Sequence, residues 1–307
     1  MASRPKSFPT CGPIWREPAR LQPLKERADF MSYRNYLIAP PKAFNPPRYV
    51  QELLRYRHLS VNLMASDIRS RFRRSRLGVL WAIIQPMVYA MVIAWVWGSI
   101  FQMDGYWEFA IYLYSGLIIW DYFSTVTMVS MDALVNAGGY LKQSRIPFFI
   151  FQLRVPMTAA FISLLGIVGL LVLKTLVDPP VPLTVNLLLM PLYYVILLAF
   201  GLPVAIIMSL LGAQFRDVQH ITGLAVQGLF FLTPVMITRD ILDKPELQIL
   251  NYINPVTPLI HMFRDPMIYG KAWNPEEVLT MGIWIVVLWV LAVVLSLGFG
   301  RKPIYLV

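Results

Sequence analysis

The chain alternates between long stretches without a charged side chain and short polar connections. Leu77–Met103 carries no charge, and Arg69-Ser-Arg-Phe-Arg-Arg-Ser-Arg76 stands directly before it. A run of that length crosses a bilayer as a helix, and a block of arginines at one end keeps that end in the cytoplasm. The first span is expected at Val79–Phe101. Further spans are expected at Phe109–Met131, at Val155–Leu173, within Pro179–Phe215 after Pro182, at Ile221–Thr238, which is short, and at Val278–Gly300. Arg239–Glu277 is too polar to span, but Leu247–Phe263 is apolar enough to dip into the membrane edge, in pieces broken by Pro245, Pro255, Pro258 and Pro266. Such a re-entrant segment survives only where protein or a wet cavity covers its backbone. The pattern predicts an all-α polytopic membrane protein with six transmembrane helices and a re-entrant outer segment over residues 239–277.

Two regions precede the first span. Residues 1–47 hold nine prolines and many basic residues without hydrophobic periodicity, which reads as a disordered or extended cytoplasmic arm. This arm is either a dispensable extension or a site of extra interaction. Over residues 48–76, Val50, Leu53, Leu54, Val61, Met64, Ala65, Ile68 and Phe72 fall on one side at helical spacing, with Arg48, Gln51, Glu52, Arg55, Asn62, Arg69 and Arg73 elsewhere. That spacing predicts an amphipathic helix on the inner membrane surface, or a plain juxtamembrane anchor. Residues 77–307 form the transmembrane domain.

Loop charges set the orientation. With both termini inside, twenty-two Lys and Arg fall on inner segments and five on outer ones, the asymmetry expected of a cytoplasmic membrane with cytoplasmic ends. Composition agrees: 57% of residues are hydrophobic and the mean hydropathy is +0.57. The net charge of +10 then points to cytoplasmic loops and anionic lipid, not to nucleic acid. The single Cys11 excludes an internal disulfide and a cysteine metal cluster. Because the first apolar run starts near residue 77, no cleavable signal peptide is expected.

The sequence lacks a GxxxxGK[ST] phosphate loop, HExxH, paired-cysteine zinc spacing and a GxSxG elbow. Its three histidines (His58, His220, His261) are scattered. Asp121 is the clear acid within a span, and ion-driven carriers usually carry several such groups. These features describe the membrane half of a machine whose motor is a separate subunit, with no cofactor, catalytic residue or metal of its own. A carboxylate at the depth of Asp121 faces protein or water, so it either lines a polar path or bonds a neighbouring helix or a second copy. Aromatic side chains gather at the outer half of the first two spans: Tyr89, Trp97 and Phe101 share one face, and Phe109, Tyr112, Trp120 and Phe123 form a stripe. They read as an interfacial belt or as flat stacking surfaces for sugar rings.

Asp67-Ile-Arg-Ser-Arg-Phe-Arg-Arg-Ser-Arg-Leu-Gly-Val-Leu-Trp-Ala-Ile-Ile-Gln-Pro86 resembles the entry to the first span of type 2 ABC exporter permeases, in particular the branch that exports capsule, O-antigen and teichoic acid polysaccharides. Gly212-Ala-Gln-Phe-Arg-Asp-Val-Gln219, Phe230-Phe-Leu-Thr-Pro-Val235 and Asn254-Pro-Val-Thr-Pro-Leu-Ile-His-Met-Phe-Arg-Asp265 are similar to later signatures of that family. The resemblance covers roughly residues 48–300. It implies a homodimer with two copies of an ABC ATPase subunit, which would bind the ATP and Mg. It implies that residues 48–76 are an interface helix beside the ATPase. Residues 137–147 would be a coupling helix carrying Tyr140, Lys142, Gln143 and Arg145, with Arg216 and Asp217 on the next cytoplasmic turn. Independently of the family, Gly138-Gly139 is expected to permit a sharp chain reversal before that helix.

The resemblance further implies that residues 239–277 hold an exit gate and that Tyr89, Trp95, Trp97, Phe101, Phe109, Tyr112, Trp120, Asp121, Phe123 and Phe230 line the substrate channel. Arg69, Arg71, Arg73, Arg74 and Arg76 would form a basic entrance for a lipid pyrophosphate or an anionic glycan end, or simply an inner-leaflet anchor. The expected function is export of a lipid-linked polysaccharide across the bacterial inner membrane. Rival expectations are a lipid or drug exporter on the same scaffold, a membrane glycosyltransferase, and a non-transporting scaffold.

Overall fold

The structure is a computed structural model that describes residues 56–101, 105–143, 149–177, 184–237, 239, 244 and 248–299. The arm at 1–47, residues 48–55 of the expected interface helix, Arg145 and residues 300–307 lie outside the described residues, as do the side chains of Phe101, Tyr140, Lys142 and Gln143.

Among the described residues the regular structure is helical. Helix α1 (Arg57–Arg71) is followed by a 3-10 turn (Gly78–Leu80) and α2 (Trp81–Phe101). Next come α3 (Tyr106–Val129), a 3-10 turn (Ser130–Asp132), α4 (Ala133–Gln143) and α5 (Phe149–Val177). A third 3-10 segment (Val185–Leu189) leads into α6 (Met190–Gln214) and α7 (Asp217–Phe231). The remainder is α8 (Ile249–Ile253), α9 (Val256–Arg264), a π-turn (Asp265–Tyr269) and α10 (Pro275–Phe299). Among the described residues, five helical stretches are long and apolar enough to cross a membrane: Gly78–Ile100, Trp107–Gly138, Phe149–Thr175, Val185–Gln214 and Pro275–Gly298. Asp67 of α1 meets Arg154 near the start of α5 and Leu134 of α4 packs with Phe149 there, while Lys174 near the other end of α5 reaches the π-turn, so α1 and α4 lie at one end of the bundle and the α9 segment at the other.

The expected fifth span takes a shorter form. Helix α7 has 15 residues, about 22 Å of rise against the roughly 30 Å of a hydrocarbon core. Proline at 234 disfavours helical geometry at Thr233, and residues 232–236 form turns. The expected reversal at Gly138-Gly139 does not occur: both glycines lie inside α4. Ala133, Leu134 and Ala137 are buried there, and this packing outweighs the weak helix propensity of glycine. Along the apolar positions of α1 and the residue after it, Met64, Ala65, Ile68 and Phe72 are half-buried and Val61 is exposed, while Ser60 is buried. Asp67 on α1 pairs with Arg154 on α5 at 3.1 Å. Burial raises the Asp67 carboxyl above its ordinary range, opposed by the lowering effect of Arg154.

The core lies around α3 and α6. Of the apolar window of α3, 72% is buried, against 11% for the windows of α2 and α10, so α3 is central and the other two are peripheral. Three buried tyrosines tie this core together through backbone carbonyls. Tyr114 donates to Gly166 O at 3.2 Å, Tyr122 to Leu197 O at 2.8 Å and Tyr193 to Leu259 O at 3.0 Å. Each phenol buries its ring yet satisfies its hydroxyl. Helix α6 passes close to the 3-10 turn at Gly212, where an added Cβ would stand 2.5 Å from Met131 O and 2.8 Å from Met131 Cα.

Every residue of α9 is buried, so its helix ends cannot turn to water. Asn254 Oδ1 accepts the Val256 N–H at 3.0 Å, and Asn254 Nδ2 donates to Thr233 Oγ1 at 2.7 Å. Trp273 Nε1 donates to Met262 O at 2.8 Å. Lys174 Nζ donates to Ile268 O at 3.2 Å.

The strongest tie is Arg264, which is 2% exposed. Its Nε donates to Ser115 Oγ at 3.0 Å, Nη1 to Pro234 O at 2.6 Å, and Nη2 to Tyr112 O at 3.0 Å and Val235 O at 3.3 Å. Its Cζ also lies 3.6 Å from the centre of the Tyr112 ring. Gly116 makes room for it, since a Cβ there would stand 2.6 Å from Nη2. One guanidinium thereby joins α3, the turn after α7 and α9.

Two outcomes are expected in thermal unfolding of the full chain in detergent. Gly212→Ala forces its methyl against backbone and lowers stability by about 2 kcal/mol, whereas Gly282→Ala, with nothing within 4 Å, leaves it unchanged or slightly higher. Arg264→Met strands several buried acceptors and lowers stability by at least about 3 kcal/mol. Arg264→Lys recovers only part of this, because an ammonium cannot fork to acceptors on three segments.

Candidate functional site

The basic cluster sits on and just after α1. Arg69, Arg71, Arg73, Arg74 and Arg76 are all exposed. Arg74 takes a left-handed φ of 70°, which turns the chain between α1 and the first long helix. Arg71 acts electrostatically on Asp121, itself exposed on α3. The structure therefore brings the intramembrane acid toward the arginine cluster. At the same end of the bundle, Arg216 and Asp217 are exposed at the start of α7. The Asp217 carboxylate lies in the first turn of α7, where a helix N-terminus favours negative charge. Tyr140, Lys142 and Gln143 belong to α4.

The candidate channel aromatics divide into three groups. Tyr89, Trp95 and Trp97 are exposed along α2, with Trp95 at 68%. Trp120, Phe123 and Phe230 form one cluster between α3 and α7: Trp120 meets Phe123 at 5.5 Å and Phe230 edge-on at 5.2 Å. Phe123 continues the cluster to Phe200 of α6 at 6.3 Å. Phe109 stacks near Tyr112 at 6.4 Å with ring planes 12° apart. Tyr112 is occupied, since its hydroxyl donates to Ile237 O at 2.7 Å and its ring carries Arg264.

At the α9 end the structure assembles a site that the chain order hides. An open cleft of about 380 Å³ is lined by Arg239, Asn251, Thr257, His261, Asp265 and Glu277, among others. Arg239 pairs with Asp265 at 3.3 Å and also with Glu277. His261 Nδ1 lies 3.0 Å from Glu277 Oε1. Burial raises the Asp265 carboxyl, the Glu277 charge raises it further, and Arg239 and His261 pull it down. Sequence reasoning missed this group because its members stand up to 38 positions apart. The available signal was the density of polar side chains in a segment otherwise apolar enough to enter the membrane. Among the described residues, no group of three His, Cys, Asp or Glu could hold a metal ion.

The bundle thus carries buried α9 and its polar cleft at one end and the arginine cluster at the other. The chain is 26% identical over 245 residues to the O-antigen export system permease protein RfbA of Myxococcus xanthus, covering 79% of this chain and 93% of that protein. It is 24% identical to an O-antigen export system permease protein RfbA of Klebsiella pneumoniae, covering 69% and 81%. Against a polysialic acid transport protein KpsM of Escherichia coli the identity is 22%, covering 68% and 80%. Residues 60–268 match the ABC-2 type transporter family, and the chain belongs to that family as a non-catalytic transport permease.

Proposed function

We propose that the chain is the permease of an ATP-driven exporter that moves a lipid-linked polysaccharide, of O-antigen or capsule type, across the bacterial inner membrane. What chiefly supports this is the similarity to an O-antigen export permease along 79% of the chain. Two copies would pair and dock two ABC ATPase subunits, which would bind the ATP and Mg. Both termini would be cytoplasmic, consistent with the arginine cluster and the excess of Lys and Arg on that side. Helix α7 would count as the fifth of six spans, completed by the turn at 232–236. Residues 239–277 would be the re-entrant exit gate, supported by the burial of all of α9.

ATP-driven closure of the motor would push α4 and residues up to 147, together with Arg216 and Asp217. That displacement would shift the two permeases and open a path between them. The arginines from 69 to 76 would receive the pyrophosphate or anionic end of the cargo. The glycan would then advance over aromatic faces, whose contacts are weak enough to release at every step.

A second function has one feature in its favour. A groove of about 330 Å³ between α2 and α3, lined by Met91, Val92, Ala94, Trp95, Trp107 and Ala110, is largely apolar and would suit a small lipid. Gene deletion separates the two: loss of surface glycan with its retention in the cytoplasm is expected for glycan export, and unchanged surface glycan would overturn it. Tyr112 is unsuited to testing the channel because it supports Arg264. Exposed Tyr89 and Trp95 are better targets. The double variant Tyr89→Ala, Trp95→Ala should reduce surface glycan severalfold while the ATPase still co-purifies. Full export in that variant would remove the stacking role.

A further inference from the structure

The polar cleft beside α9 is built with more hydrogen-bonding capacity than the protein uses. Asn251 Oδ1, Thr257 Oγ1, His261 Nε2 and Glu277 Oε2 all line it or belong to residues that do, and all are buried atoms without a hydrogen-bond partner among the described residues. Thr257 is 1% exposed and His261 6%. Buried polar atoms are almost always paired, so four orphans around one cleft indicate an occupant.

The chemistry of the orphans defines that occupant. Glu277 Oε1 already takes Arg239 and faces His261 Nδ1. With Nδ1–H directed at the carboxylate, Nε2 is left free to face the cleft, an acceptor on a neutral ring and a donor on a charged one. Glu277 Oε2 and Asn251 Oδ1 are acceptors as well, and Thr257 can accept or donate. The missing partner must therefore bring several donors. A cation is disfavoured because Arg239 and Lys271 line the same cleft, and an anion because Asp265, Glu276 and Glu277 do.

The volume of about 380 Å³ corresponds to about a dozen waters, and the heavy atoms of one hexose residue number about the same. Tyr252, 49% exposed, offers a ring face at the rim. Its backbone is fixed by a 2.9 Å hydrogen bond from Trp284 Nε1 to Tyr252 O.

We infer that this cleft is a subsite for one neutral, hydroxyl-rich sugar residue, held by Asn251, Thr257, His261 and Glu277; naming the sugar as part of the cargo rests on the polysaccharide-export proposal above. Bound there, a sugar residue would hold the glycan at the re-entrant segment between steps.

The test uses the full-length permease with its ATPase in lipid nanodiscs. Mannotriose serves as the neutral probe and trigalacturonate as the acidic one, with binding followed by saturation-transfer NMR. Mannotriose should bind and trigalacturonate should bind far more weakly. Thr257→Val and Asn251→Leu should each weaken mannotriose binding about fivefold, the factor for one hydrogen bond. Thr257→Val should at the same time leave the melting temperature unchanged or raised, because it removes an unmade hydrogen bond; a purely structural role would lower melting and spare binding. Variants that bind mannotriose like the wild type, or equal binding of the acidic probe, would overturn the assignment. If the wild type binds neither probe while deletion of the gene strips surface glycan, the subsite falls and glycan export stands. If deletion leaves surface glycan unchanged, glycan export itself falls.

Discussion

A charge with no carboxylate partner among the described residues holds the polar segment after α7 in place. Arg264 is enclosed by protein and compensated by the carbonyls of Tyr112, Pro234 and Val235, the hydroxyl of Ser115 and the face of Tyr112. Burying a guanidinium is costly unless its donors are met, and here the met donors perform the structural task. Two of the carbonyls they cap, Pro234 O and Val235 O, belong to the turn after α7, and the third, Tyr112 O, belongs to α3. A carboxylate could neutralise the charge but could not tie the backbone of that turn to α3. The fork of an arginine reaches all of these acceptors, which a lysine cannot do.

The same economy governs the rest of the polar segment. A short helix buried on every side must find partners for both ends within protein. Asn254 serves the start of α9, Trp273 and Lys174 serve carbonyls of α9 and the π-turn, and Tyr193 reaches Leu259 from α6. Each partner comes from a different element. The half-helix is thus bonded into the surrounding bundle rather than carried on a loop, and its side chains at the cleft are set by backbone contacts on all sides.

What could be read from the chain was what depends on long, local apolar runs. The cores of the first, third, fourth and sixth predicted spans, the central second span, and the polar interruption after residue 239 follow from hydropathy because lipid imposes length directly. Features decided by tertiary contact were not legible. Gly138-Gly139 suggested a reversal, yet Ala133, Leu134 and Ala137 pack well enough to keep α4 helical. Val61 fitted an apolar stripe, yet it is exposed while neighbouring Ser60 is buried. Arg264 looked like one of five outer cations, and nothing local marks it as buried. The His261–Glu277–Arg239 group spans three separate segments, so only the fold could assemble it. For the aromatic stripe, spacing gave the face but not the occupancy: Tyr112 already carries Arg264, while Tyr89 and Trp95 stay exposed.

These ties also determine how the molecule can move. Arg239 just after the turn is paired to Asp265 beyond α9 and to Glu277 at the start of α10, so the beginning and end of the polar segment are fastened to each other. Arg264 fastens its middle to α3. A displacement of α3 must therefore carry the turn and α9 with it, or break the guanidinium fork. The Arg239 pairs leave that side chain 38% exposed, where water weakens an ion pair, whereas the Arg264 bonds are enclosed and strong. Under load the Arg239 pairs are therefore expected to break before the Arg264 bonds, which would loosen the segment at its edge toward α10 while leaving α9 seated on α3.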